Sequence, residues 1–446
     1  MYSEIPKEQP VNLYYYKNAD PALDKILARR AEFDAAERKK VARIVEDVRV
    51  KGDAAVLKYT RQFDHLDMKA EQIEVTQEYL RDCRAKVDEN LMRVIKEARN
   101  NIKRFHEQQV TGSWFKSFGD GVKLGQRITP IDRVGLYVPG GQAFYPSSVL
   151  MNVVPAQLAK VKEIIVVTPP GNFFKNPLLG AVLSLMEVSA VYLAGGAQGV
   201  AALAFGTRTI PKVDKIVGPG GPYVALAKRE VYGYVDIDMI AGPSEILVLA
   251  DAHAEPEWVA LDLLSQAEHG TGHEAAILVT DSQAFAEKTA EFVYEHLKYS
   301  PQKEKIERTL EAYGAFIIVD DLMQGAEVVN RIAPEHLELI VHDPDKILAK
   351  IRHAGAIFLG PYSAESVGDY WAGPNHVLPT GGSARYFSPL GVYDFVKRSS
   401  LIQYSREAIL KNAEKIEKFA EAESLPFHGR AVRKRYDDLK ARLRGR

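Results

Sequence analysis

Short apolar runs rich in β-branched residues punctuate the middle of the chain. They fall at 134–138, 163–168, 190–193, 215–217, 245–249, 275–280, 315–319, 337–341 and 354–359, and each runs into Gly, Pro or Asp. Stretches with helical spacing, such as 178–186 and 198–205, separate several of them. Strands alternating with helices predict an α/β fold with largely parallel sheets. Nine such runs are many for one small sheet, so two sheets are expected. The flanks differ. Residues 20–110 are polar and helical in spacing, clearest at 31–50 and 90–109. From Pro389 onward a helical pattern returns, with an amphipathic stretch at 408–422, then Pro426 and a basic end at 430–446.

Composition narrows the partners. The 446 residues carry a net charge of −1, so no overall field favours nucleic acid or an acidic membrane. Asp437 and Asp438 interrupt the basic end, which reads better as a solvated helix than as a nucleic-acid contact. One cysteine, Cys83, excludes a disulfide within the chain and suits a reducing compartment. The first residues lack a basic and apolar leader, and no apolar run approaches the roughly 20 residues of a membrane span. The expected location is cytoplasmic.

Four segments could carry chemistry. Pro256 suits a first helical turn and Gly270 a C-terminal cap, so 257–269 reads as one helix. Gln266 and His269 then share a face, with Asp262 one turn earlier. An imidazole one turn from an oxygen donor is half of a metal site, and equally a histidine capping a helix end. In Ala333-Pro334-Glu335-His336, proline stops the preceding helix and leaves Glu335 and His336 in the approach to a strand. They could be an acid/base pair or an exposed turn. A Gly- and Pro-rich loop from Gly368 to Gly382 holds Asp369, Asn375 and His376 after a strand, where ligands commonly bind. Glycine turns at 139–141, 195–199 and 218–221 follow strands, but none is G-x-G-x-x-G. They allow a nucleotide at a helix N-terminus and equally allow plain tight turns.

Together these segments resemble the histidinol dehydrogenase family from about residue 30 to 430. The resemblance rests on Gly135-Leu136-Tyr137-Val138-Pro139-Gly140-Gly141, Ile240-Ala241-Gly242-Pro243-Ser244-Glu245, Ser265-Gln266-Ala267-Glu268-His269, Ala333-Pro334-Glu335-His336-Leu337 and Asn375-His376-Val377-Leu378-Pro379-Thr380. It implies two NAD-dependent oxidations that take L-histidinol through histidinal to L-histidine. It also implies an intertwined homodimer of Rossmann-like parallel-sheet domains with helical N- and C-terminal extensions. The implied layout is a helical segment at 1–32, a main α/β domain at 33–136 and 245–389 bearing zinc and catalytic residues, an NAD-side α/β domain at 137–244, and a helical segment at 390–446 reaching the partner. One zinc per subunit would be held by Gln266, His269, Asp369 and His428, the last from the partner. Substrate contacts would be Ser244, Gln266, His269, His336, Asp369, Glu423 and His428. Glu335 and His336 would be the acid/base pair. Tyr137, Gln198 and Gly221 would meet NAD, although the family usually has Asn at position 221. His376 receives no role.

Other readings are a paralogue oxidising another small alcohol or diol, a zinc hydrolase without NAD, and a non-enzymatic binding module. Cys83 lies among charged residues far from these segments, which gives no support to a thiohemiacetal route.

Overall fold

The computed structural model describes residues 11–29, 34–140, 145–240, 242–269 and 271–444. Gly270, expected to cap the helix of Gln266 and His269, lies outside them. The strands are β1 (Asn12–Tyr15), β2 (Glu74–Val75), β3 (Trp114–Ser117), β4 (Val122–Pro130), β5 (Arg133–Tyr137), β6 (Glu163–Thr168), β7 (Ala190–Leu193), β8 (Lys215–Val217), β9 (Asp236–Ile237), β10 (Glu245–Ala250), β11 (Ala275–Thr280), β12 (Gly314–Ile318), β13 (His336–Ile340), β14 (Ala356–Leu359) and β15 (Val396–Tyr404). Two six-stranded sheets form, as the apolar runs predict. The first runs β1-β12-β11-β10-β13-β14 and is parallel throughout. The second runs β2-β7-β6-β5-β8-β9, parallel except for β2.

Burial on both faces explains the unbroken apolar runs. Every residue of β10 and β11 is buried, and each such aliphatic side chain contributes about 1.5–3 kcal/mol relative to exposure. Helices Pro256–Ala267 and Gln283–Leu297 supply one face of the first sheet, and Leu322–Ile332 the other.

The structure adds detail to the expected layout at four places. The N-terminal segment is not only helical, since β1 adds an edge strand beside β12. Helices Ala35–Lys51 and Asp53–Phe63 pack on the second sheet rather than the first, with Val41, Ile44 and Val56 against Val200 and Leu203. The boundary expected at 136/137 also cuts β5, which belongs wholly to that second sheet. The C-terminal segment opens with β15, which pairs along its length with β4 and so joins the antiparallel sheet β15-β4-β3. Its Lys397-Arg398-Ser399-Ser400 stretch lacks the apolar signature because backbone pairing, not burial, builds this ladder.

The chain forms two compact units: Met1–Gln109 with Ile131–Phe395, and Val110–Pro130 with Val396–Arg446. Both six-stranded sheets lie in the first. The second holds the antiparallel sheet and a hairpin of helices Arg406–Ala422 and Pro426–Arg444.

Candidate active site

Helix Leu322–Ile332 stops where Pro334 requires, with Ala333 in a left-handed conformation (φ 54°) closing onto Val329. Glu335 and His336 therefore enter β13 at its N-terminal edge, beside the start of β10. Both are buried. The backbone of Glu245 holds the pair: its N–H donates to Glu335 Oε2 at 3.0 Å, and its carbonyl lies 3.2 Å from His336 Nδ1. An imidazole held this way keeps one proton on Nδ1, so Nε2 is the nitrogen at which a proton can come and go. Nε2 is buried without a hydrogen-bond partner among the described residues. Asp369 Oδ1 stands 3.7 Å from it. Arg29 pairs with the Glu245 carboxylate from beneath and donates to the His273 carbonyl at 2.7 Å, and Gly381 donates to Glu245 Oε1 at 3.0 Å.

Asp369 lies on a π-helical turn, Gly368–Ala372, that continues the short helix Glu365–Val367. This one-turn spacing brings in Glu365, which the reading of the loop from Gly368 onward missed. Glu365 Oε1 is 3.7 Å from His336 Nδ1. The i, i+4 spacing of Glu365 and Asp369 was the available signal. Glu338 anchors this turn by accepting the Glu365 N–H at 2.8 Å, and its carboxyl interacts with that of Asp262. Burial pushes the Asp262 carboxyl up to about 6 and Glu338 well above its usual range.

The charges around His336 are strongly linked. Burial alone would lower its pKa, but Glu365, Glu335 and Asp369 together push it up to about 10. Burial raises Glu335 to about 8 against the pull of His336, and Glu365 to about 7. Burial also opposes ionisation of Asp369, yet His336, His376 and His269 hold it below the ordinary carboxylate range.

Gln266 and His269 face this cluster from helix Pro256–Ala267 and the turn beyond it. His269 Nδ1 stays on the Gln266 carbonyl at 3.1 Å, leaving Nε2 for a ligand. Gln266 Oε1 is buried with no hydrogen-bond partner among the described residues. His336, Glu365 and Asp369 form a group whose ligand-type atoms lie within 4.8 Å of one another. The unpartnered Gln266 Oε1 and the His269 Nε2, on one cavity with the Asp369 carboxylate, are oxygen and nitrogen donors of the kind that fit a zinc-sized cation.

A cavity of about 320 Å³ joins Ser244, Gln266, His269, Glu335, His336 and Asp369 to the C-terminal edge of the second sheet. There the glycine turn after β8 is pinned: Asp238 accepts the Gly218 N–H at 2.8 Å and pairs with buried Lys228, whose Nζ donates to the Gly218 carbonyl at 3.0 Å. Gly221 opens helix Pro222–Val231 and lines this cavity, and a Cβ there would meet nothing within 4 Å. Asparagine would fit without strain, so glycine is not imposed by packing. Tyr137 is buried, and its hydroxyl accepts the Gly196 N–H at 3.0 Å. Gln198, on the first turn of Gly196–Phe205, lines a different cavity, beside Tyr223.

The family profile for histidinol dehydrogenase matches residues 27–436. The chain belongs to the histidinol dehydrogenase family. A histidinol dehydrogenase of Bacillus licheniformis is 52% identical over 402 residues, covering 90% of this chain and 93% of the relative. One of Bacillus subtilis is 50% identical, covering 90% and 93%. The crystal structure of histidinol dehydrogenase from Elizabethkingia anophelis superposes with a TM-score of 0.91 at 36% identity, covering 97% of this chain and 99% of that one. The family is one of NAD-dependent oxidoreductases.

Against the family's expected site, the described structure gathers Ser244, Gln266, His269, Glu335, His336 and Asp369 around one cavity. Glu423 and His428 belong to the second compact unit, exposed at the turn of its helical hairpin. His376 lines the same cavity as His336, and its Nε2 has no partner among the described residues. Asn375 is structural: it donates to the Met151 carbonyl and accepts the Val377 N–H. Cys83 is buried against Gly180 in the packing of two helices. Among the described residues, no helix is long and apolar enough to cross a membrane.

Proposed function

We propose that this protein oxidises L-histidinol through histidinal to L-histidine, with two NAD⁺ reduced and one water consumed. The observation that carries this reading is the geometry of His336. Its Nδ1 is fixed on a backbone carbonyl, its Nε2 has no hydrogen-bond partner among the described residues, and the residue lines a cavity shared with the second sheet. Once its Nε2 is deprotonated, His336 takes the hydroxyl proton of the substrate in the first oxidation; NAD⁺, bound against the second sheet, would supply the hydride acceptor. Water then adds to the aldehyde. Glu335, with one oxygen on the Glu245 N–H, takes the proton of that water in its ionised form, which burial makes available only toward pH 8. The hydrate yields the second hydride and leaves as carboxylate, so no thiol is required.

Gln266, His269 and Asp369 would hold zinc, with His428 from a second subunit. Bound there, zinc would orient the imidazole and amine of the substrate. Tyr137, Gln198 and Gly221 would line the path of NAD. The exposed position of His428 and Glu423 in a separate unit supports a homodimer with shared sites.

Two measurements test this. Zinc-loaded protein is expected to form two NADH per histidinol and none with small diols; absence of histidinol-dependent NADH overturns the reading. Gln266→Ala and His428→Ala are each expected to lose activity, and mixed dimers to regain part of it. No recovery in verified mixed dimers would place His428 in its own subunit's site or in none.

A further inference from the structure

A cavity of about 330 Å³ opens on the second sheet, lined by Lys40, Phe63, Asp64, Gly196, Gln198 and Tyr223. That volume is at the small end of ligand sites. Its charged groups are unusual in being left apart. The Asp64 carboxylate has no hydrogen-bond or ion-pair partner among the described residues, and only the charge of His65 offsets its burial. Burial pushes it up to about 6, so an ionised Asp64 lacks the compensation such a site normally supplies. Lys40 Nζ donates to the Tyr223 hydroxyl at 3.0 Å and lies over the Tyr223 and Phe63 rings, with no carboxylate among its described partners. Gln198, 1% exposed, has its Oε1 buried without a partner among the described residues. The N-terminus of the ten-residue helix Gly196–Phe205 meets the same cavity.

These groups match one class of ligand. A carboxylate and an amide oxygen in need of donors suit the paired hydroxyls of a ribose. A lysine and a helix N-terminus suit phosphate. Aromatic faces suit a base. We propose that Asp64 grips the adenosine ribose diol of the dinucleotide and makes this protein select NAD over NADP, whose 2′-phosphate would meet the carboxylate. The proposal rests on the NAD-dependent reading above, and adds Asp64 and Lys40 to the residues it assigns. Tyr223 lies two residues from Gly221, which lines the cavity of His336, so one extended dinucleotide can reach both.

The test is Asp64→Asn, with Asp64→Ser as a smaller second variant, in the zinc-loaded enzyme. KM for NAD and the dissociation constant of ADP-ribose are each expected to rise about tenfold, the order expected for losing hydrogen bonds to a charged group. KM for histidinol should hold steady, and the NAD-to-NADP preference should narrow, most in Asp64→Ser. Unchanged NAD and ADP-ribose binding overturns the proposal. So does a parallel rise in both substrates' KM, which marks a structural role. So does wild-type enzyme that turns over histidinol yet binds no ADP-ribose. Wild-type protein that binds ADP-ribose through Asp64 but leaves histidinol untouched would refute the substrate reading and sustain this one.

Discussion

His336→Asn is expected to lower kcat for histidinol by about 10²–10⁴, the range for removing a positioned general base. Asparagine is the informative replacement. Its amide can still donate to the Glu245 carbonyl, the contact that fixes the imidazole at 3.2 Å. What it cannot do is accept a proton at the place of Nε2. Zinc content and NAD affinity should persist, because the residues proposed for both lie on other elements. The measurement is single-turnover NADH formation from histidinol and, separately, from histidinal. A fall of less than tenfold in histidinol oxidation would move the proton acceptor elsewhere. A loss confined to histidinal would give His336 the role proposed for Glu335.

Much of this site is legible locally. Pro334 dictates a helix stop, the apolar run after it dictates a strand, and Glu335 and His336 must then lie at the strand's entry. Gln266 and His269 share a helix face because their spacing is three. Expectation and structure part where a contact joins distant segments or where pairing replaces burial. Nothing in Lys397-Arg398-Ser399-Ser400 advertises a strand, because β15 is specified by its partner β4. Helices Ala35–Lys51 and Asp53–Phe63 have apolar faces that fit either sheet, and only the tertiary structure assigns them to the second. The place of the site is also unusual for parallel sheets. It sits at the N-terminal edge of the first sheet, facing the C-terminal edge of the second, whereas loops after strands were the expected location. The loop holding Asp369 follows β14 but returns to that N-terminal edge, where Gly381 meets Glu245. Family resemblance supplied the joining of these segments, and the hydrogen bonds supply its physical basis.

The pair Arg29 and Glu245 is the clearest case of a determinant hidden from local pattern, and it sets the second large expectation. The partners are 216 residues apart and both buried. Arg29→Met should cost about 3–5 kcal/mol of stability, because it leaves a buried carboxylate without its cation. Methionine keeps apolar volume but also strands the His273 carbonyl that Arg29 serves. The pH dependence follows from the direction of the shift. Burial already raises the Glu245 pKa, and Arg29 is the main group opposing it. Without Arg29 the folded-state pKa rises further above the unfolded value. Stability is then greatest below the unfolded pKa and is lost as pH rises through the folded one. The deficit against wild type should therefore shrink as pH is lowered toward the ordinary carboxylate range. Arg29→Met with Glu245→Gln should recover part of the loss at neutral pH, since the stranded charge is gone while the Gly381 contact can persist. Urea unfolding across pH measures both effects. A deficit that grows on acidification, or a double variant no better than the single, would show that Arg29 acts through packing and not through charge. Activity adds a separate readout. The backbone of Glu245 orients Glu335 and His336, so a loosened Glu245 should lower kcat in the folded fraction as well as the amount of folded enzyme.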